Sequence, residues 1–216
     1  MTSQHRTRPY RGVPAEERRA QRRAALMEAG LELLGTRGWA ATTVRGVCSL
    51  AGLNDRYFYE NFADRDTLLL AIVDEQAALG TARILEAAED VTAHLPELAR
   101  ASVTATVDFL TSDPRLAHVL GHEFPANPLL QQRRGEIIEN LATLFAKRTR
   151  YLLGETPLSD TDLALTSFTL TSGLWDLIAA WLRGDVPIDR DHLIDYTVAL
   201  LLTVTDLAAP LHKRLT

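Results

Sequence analysis

An all-α chain in two helical parts, with about nine helices, is the fold this sequence predicts. Three observations carry that expectation. Apolar residues recur at spacings of three and four through nearly every segment beyond residue 14. No run alternates apolar and polar residues between turn signals, so no strand is expected. The stretch Thr42–Phe62, TTVRGVCSLAGLNDRYFYENF, reads as two short helices joined by a glycine turn.

Residues 1–13 carry Arg6, Arg8 and Arg11 and are expected to form a basic, disordered arm. Pro14 suits a first helical position, and Glu16 and Glu17 suit the positive end of the helix dipole. Ala24, Leu26, Met27, Leu31 and Leu34 give that helix its apolar face, and Gly35 or Gly38 stops it. Thr42 or Thr43 can cap the next helix, whose inner stripe is Val44, Val47, Cys48 and Ala51. Gly52 supplies the left-handed turn, and Asn54 can cap a second short helix, Asp55 to Asn61. Its inner face is Phe58 and Phe62; its outer face is Asp55, Arg56, Tyr57, Tyr59, Glu60 and Asn61. The geometry is that of a helix-turn-helix, whose second helix enters the DNA major groove. Asp64 can cap a fourth helix reaching about Glu89; with no Pro/Gly/Ser linker in it, it is expected to connect the two parts mechanically.

The later segments follow the same period. Helices are expected at Pro96 to Thr111, Asp113 or Pro114 to His122, Leu129 to Leu153, Ser159 or Asp160 to Arg183, and Asp189 to Ala209. The breaks are Phe124-Pro125-Ala126-Asn127-Pro128, Gly154 to Pro157 and Gly184 to Ile188. The expected division is a 1–13 arm, a 14–63 helix-turn-helix domain and a 64–216 helical domain.

The run Gly38–Leu69 resembles the N-terminal domain of TetR-type transcriptional regulators. The matching positions are Gly38-Trp39, Thr43-Val44, Val47-Cys48, Ala51-Gly52-Leu53, Phe58-Tyr59, Phe62, Arg65 and Leu68. The family usually has Ala where Cys48 stands and often His where Asn61 stands. The resemblance implies phosphate contacts at Thr43, Tyr59 and Arg65, and a four-helix dimer interface built from the last two helices.

Charge is distributed as a DNA binder requires. The net charge is −5, yet residues 1–66 hold eleven Arg against eight acids, and the rest holds twelve Lys or Arg against twenty acids. The basic end carries the helix-turn-helix, and phosphate contact supplies the sequence-independent part of DNA affinity. Arg56 can donate two bonds to guanine O6 and N7, and Asp55 can accept from cytosine or orient Arg56. Tyr57 and Tyr59 offer hydroxyls to phosphate and ring edges to thymine methyls. Asn54 caps the helix at the DNA surface, Asn61 is a candidate for backbone contact, and Arg45 and Arg65 sit where phosphates pass. Glu60 is expected to face away or to pair with an arginine.

The last two helices are apolar on several faces, which calls for cover on more than one side. A second copy is the expected cover, through Leu174, Ile178, Trp181, Tyr196, Leu200, Leu201 and Val204; a palindromic DNA site demands the same twofold symmetry. The middle helices are expected to hold a small, largely apolar effector. Its candidate lining is Val103, Val107, Phe109, His118, His122, Phe124, Leu141, Phe145, Phe168, Thr171 and Trp175.

Other classes fare worse. His118 and His122 stand at i,i+4 in HVLGHE, but the H-E-x-x-H order is absent, as are P-loop, G-x-G-x-x-G and G-x-S-x-G motifs. No enzyme activity, cofactor or metal is expected. The single cysteine, Cys48, excludes an internal disulfide and reads as a small buried residue in a reducing compartment. The polar, Arg-rich start lacks a signal-peptide core, and the apolar run Tyr196–Val204 is too short for a bilayer, so a cytoplasmic protein is expected. The overall expectation is a homodimeric repressor of a palindromic operator. The alternatives are an activator or corepressor-dependent regulator, or a helical ligand-binding protein that no longer reads DNA.

Overall fold

A computed structural model describes residues 14–89, 94–154 and 157–215, and among these every regular element is a helix. The expected arm at 1–13 lies outside the described residues. The chain divides into two compact units, Met1–Val73 and Asp74–Thr216.

The first unit is built on α1 (Ala15–Arg37), which Gly38 ends at φ 78°. A 3-10 turn, Trp39–Ala41, leads to α2 (Val44–Ala51) and α3 (Asp55–Tyr59). Its core is Leu26, Leu34, Val47, Phe58 and Phe62, together with Leu68 and Leu69 from the start of α4 (Arg65–Glu89). Gly30 lets α1 and α4 approach closely: a Cβ there would stand 2.7 Å from Ile72 Cδ1. Leu68, Leu69, Ile72 and Val73, all buried, fall within this unit.

In the second unit α5 (Leu95–Ser112) packs along α10 (Arg190–Asp206), and α8 (Pro128–Leu153) along α9 (Asp160–Arg183). Val103 and Val107 of α5 meet Leu193, Ile194 and Val198 of α10 in one core cluster. By length and composition alone, α9 is long and apolar enough to cross a membrane.

The second short helix, expected to reach Asn61, ends at Tyr59, and two later departures from the sequence expectation involve proline. The helix expected through His122 is α only over α6 (Pro114–His118); Val119–Glu123 is a π turn, with the Phe124 N–H reaching back to the Val119 carbonyl. Pro125 has no N–H for the Gly121 carbonyl, which instead accepts from Arg183 Nη1 at 3.3 Å. The expected break at 124–128 holds a helical turn, α7 (Phe124–Ala126), and the buried Asn127 then caps α8 through Oδ1. At the other end the last helix is two: α10 stops at Asp206, and α11 (Ala208–Leu215) leaves it at 46°. Pro210 cannot donate to the Asp206 carbonyl, which breaks the ladder between α10 and α11; within α11 it stands in the first turn, where no N–H is required.

Candidate DNA-reading surface

The helix-turn-helix is built by local capping. Thr43 Oγ1 accepts from the Gly46 N–H at 3.0 Å and starts α2. Gly52 closes α2 at φ 65°, a left-handed conformation that Gly adopts without penalty. Asn54 Oδ1 accepts from the Tyr57 N–H at 3.2 Å and starts α3. Asp64 Oδ1 accepts from both the N–H and the hydroxyl of Thr67 at 2.7 Å, which holds its carboxyl below the usual carboxylate range. The Thr43 and Asn54 caps each contribute about 1 kcal/mol.

Phe58, fully buried, anchors α3 from behind. That leaves Arg56, with an 83% exposed side chain, and Tyr59, 61% exposed, on the outer face; Thr43 and Arg45 are exposed beside them on α2 and its cap. Tyr57 is half-buried instead, its ring under the Arg22 guanidinium at 4.5 Å. Asn61 donates through Nδ2 to the Tyr57 carbonyl at 2.8 Å, which secures the end of α3. Arg65 is also half-buried: Nη1 donates to the Thr42 carbonyl at 2.8 Å, and the guanidinium lies 4.4 Å from the Trp39 ring centroid.

Asp55 turns toward α2, where it accepts from the Cys48 thiol. Burial first, and this carboxylate second, push the Cys48 pKa up to about 11. Arg56 is therefore oriented by Glu60, not by Asp55: its Nε donates to Glu60 Oε1 at 2.9 Å. An exposed i,i+4 pair of this kind contributes only about 0–1 kcal/mol, so its effect lies in orientation.

A brace of arginines on α1 was not legible in the sequence. Arg19 Nη2 donates to the Glu60 carbonyl at 2.9 Å, Arg23 Nη1 to the Asn61 carbonyl at 3.4 Å, and Arg22 Nη2 stands 3.9 Å from Glu60 Oε2. Arg23 also lies 4.4 Å over the Phe62 ring. These cations meet the carbonyl end of α3, where positive charge is favoured. The basic charge of α1 is thus partly committed to holding α3.

The residues expected around an effector fall into separate groups. Val103 and Val107 belong to the α5–α10 core. Phe109 lies against Gly80 of α4. His118 and His122 stack at 4.9 Å, with His118 Nε2 3.5 Å from Glu123 Oε1. Phe124 meets Trp175 edge-on at 5.2 Å. Leu141 and Phe145 are half-buried on α8, Thr171 is buried with its hydroxyl on the Ser167 carbonyl, and Phe168 is 48% exposed. Among the described residues no group of three His, Cys, Asp or Glu is placed to hold a metal.

Of the residues expected at a dimer contact, Ile178 is already buried within the chain. Trp181 and Leu201 pack against the α5–α10 core, and the Trp181 indole N–H donates to the Ile188 carbonyl at 2.9 Å. Leu174, Leu200 and Val204 are half-buried, and Tyr196 is 53% exposed. On α10 an outward stripe runs Tyr196, Leu200 and Thr203, continued by Leu207 just past its end, and α9 exposes Leu165 and Phe168.

Residues 26–72 match the family model described as bacterial regulatory proteins, tetR family. The fold is also that of solved transcriptional regulators. A putative TetR-family regulator from Syntrophomonas wolfei str. Goettingen superposes with a TM-score of 0.72 at 14% identity, over 86% of this chain and 95% of that one. A putative transcriptional regulator from Pseudomonas aeruginosa PAO1 gives 0.71 at 18% identity, over 94% and 96%. The fatty acid degradation regulator FadR from Bacillus halodurans gives 0.69 at 18% identity, over 84% and 94%.

Proposed function

We propose that this chain, a tetR-family protein by its residues 26–72, is a homodimeric repressor that reads a palindromic operator through α3 and releases it on binding a small apolar effector. The observation that carries the DNA-reading part is the outer face of α3, with Arg56 and Tyr59 exposed on a helix capped by Asn54 and anchored by Phe58. Arg56 reads a guanine edge; Thr43, Arg45, Tyr59 and Arg65 flank it as phosphate contacts. Asn54 and Asn61 act by shaping the two ends of α3, and Tyr57 by seating it on Arg22.

Dimerisation is supported by the apolar surface that α9 and α10 leave exposed. A twofold dimer places two α3 helices on half-sites about 34 Å apart. With that stripe buried in a dimer, the hydropathy of α9 needs no bilayer, and a cytoplasmic location follows from the function. The effector reading rests on the apolar and aromatic residues of the second unit, with Phe124 and Trp175 as its most specific pair.

Selection from a randomised pool of double-stranded DNA tests the reading. Wild-type protein should enrich an inverted repeat, and Arg56→Ala should lose about 1–3 kcal/mol on it and relax preference at one position per half-site. Enrichment of no sequence refutes the DNA-reading function. For the effector, coupling is reciprocal, so operator DNA must weaken effector affinity by the factor by which effector weakens DNA. Equal effector affinity with and without operator, followed by tryptophan fluorescence, rules out the inducer mechanism.

A further inference from the structure

Building on the DNA-reading function above, we propose that Glu60 is a specificity-determining positioning residue, holding Arg56 so that its two Nη groups present one fork to a guanine. Arg56 is exposed on the recognition helix, and an arginine there has four rotatable bonds to order before it can read a base. Its Nε donates to Glu60 Oε1 at 2.9 Å. That bond sets the plane of the guanidinium and commits the one N–H that a two-pronged, end-on contact leaves out. Nη1 and Nη2 then form the pair that matches guanine O6 and N7. Pre-ordering reduces the entropy lost on binding, and the gain appears only with the base that accepts both bonds.

Glu60 suits this role because it is itself anchored. Its carbonyl accepts from Arg19 Nη2 at 2.9 Å, its other carboxylate oxygen lies 3.9 Å from Arg22 Nη2, and Arg22 rests on the Tyr57 ring. The carboxylate thus belongs to a frame spanning α1 and α3, and Arg56 hangs from that frame. The charge also accounts for its own cost. A carboxylate at the DNA face repels phosphate, so it weakens binding to every sequence while sharpening binding to one. Glu60 trades affinity for discrimination.

The test uses the full chain and the duplex enriched by wild-type protein from a randomised pool, together with unselected DNA of equal length. Discrimination is the ratio of affinities for the enriched duplex and for one with the Arg56-dependent base pair changed; about ten- to a hundredfold is expected for wild type. Glu60→Ala should reduce that ratio several-fold, leave affinity for unselected DNA equal or higher, and leave the thermal melt unchanged. Glu60→Gln, which keeps an acceptor for Nε, should restore most of the ratio. In an Arg56→Ala background, Glu60→Ala should change the ratio no further. The proposal is overturned if folded Glu60→Ala protein keeps the wild-type ratio, if Glu60→Ala weakens all sequences equally, or if it acts equally in the Arg56→Ala background. If wild-type protein enriches no sequence, the DNA-reading function falls first and this role with it; the wild-type selection alone separates the two failures.

Discussion

Arg65, at the first position of α4, donates Nη1 to the carbonyl of Thr42, 23 residues earlier, at 2.8 Å. Thr42 is itself buried, its hydroxyl on the Gly38 carbonyl, and the next residue, Thr43, is the cap of α2. One cation therefore ties the residue before the α2 cap to the start of α4, while the Trp39 ring covers its face. A phosphate contact at this position would be made by a guanidinium whose place is set before DNA arrives.

Arg65→Ala is accordingly expected to do two things. It should weaken all DNA sequences similarly and lower the salt slope by about one unit. It should also destabilise the first unit by about 1–2 kcal/mol, through the lost hydrogen bond and ring contact. Arg65→Lys keeps the charge but not the planar fork, so it should recover the salt slope and not the stability. Chemical denaturation and salt-dependent binding separate the two effects. A mutant with unchanged stability shows the Thr42 bond to be dispensable.

Asn54→Ala removes the acceptor that starts α3. A cap of this kind contributes about 0.5–2 kcal/mol, and α3 has only five residues, so its register depends on that start. Stability should fall by about 1 kcal/mol, and binding should fall on the selected site more than on unselected DNA. Asn54→Asp preserves the cap and should keep stability near wild type. Equal melts for wild type and Asn54→Ala would show that tertiary packing alone holds α3.

For the dimer, the discriminating substitutions are Tyr196→Arg and Leu200→Arg on the outward stripe of α10. Each sets a charge in an interface without removing a contact of the α5–α10 core, so the chain should stay folded and become monomeric at micromolar concentration. Trp181→Arg would in addition break the indole bond to Ile188 and disturb that core. Light scattering reads the mass, and circular dichroism reads the fold. A folded wild-type monomer at micromolar concentration sinks the dimer reading.

Cys48 should be inert. Its pKa is raised to about 11 by burial and by Asp55, so at neutral pH the thiol is protonated and shielded. Iodoacetamide at pH 8 should label native protein far more slowly than unfolded protein. The sign of the pH effect follows from linkage. The native state binds this proton more tightly than the unfolded chain, whose thiol titrates about two units lower, so this contribution to stability is present at neutral pH and is lost as pH rises from about 9 to 11. Cys48→Ala should flatten that limb of the stability profile; an unchanged profile would exclude Cys48 as its source.

The elements of the first unit were legible because their signals are local. Thr43, Asn54 and Asp64 each cap a backbone N–H three residues ahead, and Gly52 turns the chain by its own conformational freedom. Those choices depend on neighbours in sequence, and the sequence determined them: where the helices begin, where the turn falls, and that Phe58 and Phe62 point inward while Arg56 and Tyr59 point out. Proline chemistry was local too, but its consequences were not. Pro125 left the Gly121 carbonyl beside the π turn without its helical donor, and a distant Arg183 supplies one; Pro210 ended a helix that apolar spacing alone would continue. The tertiary structure decided the destinations of the arginines. A guanidinium is long, its charge finds no partner specified by its own segment, and its best acceptors are carbonyls left open at helix ends or carboxylates brought near by packing. Arg19 finds the Glu60 carbonyl 41 residues away, Arg23 the Asn61 carbonyl 38 away, and Arg65 the Thr42 carbonyl. Caps are satisfied within one helical turn and so are written in the sequence; these cations are satisfied only once α1, α3 and α4 have packed, which is why their partners exist only in the folded unit.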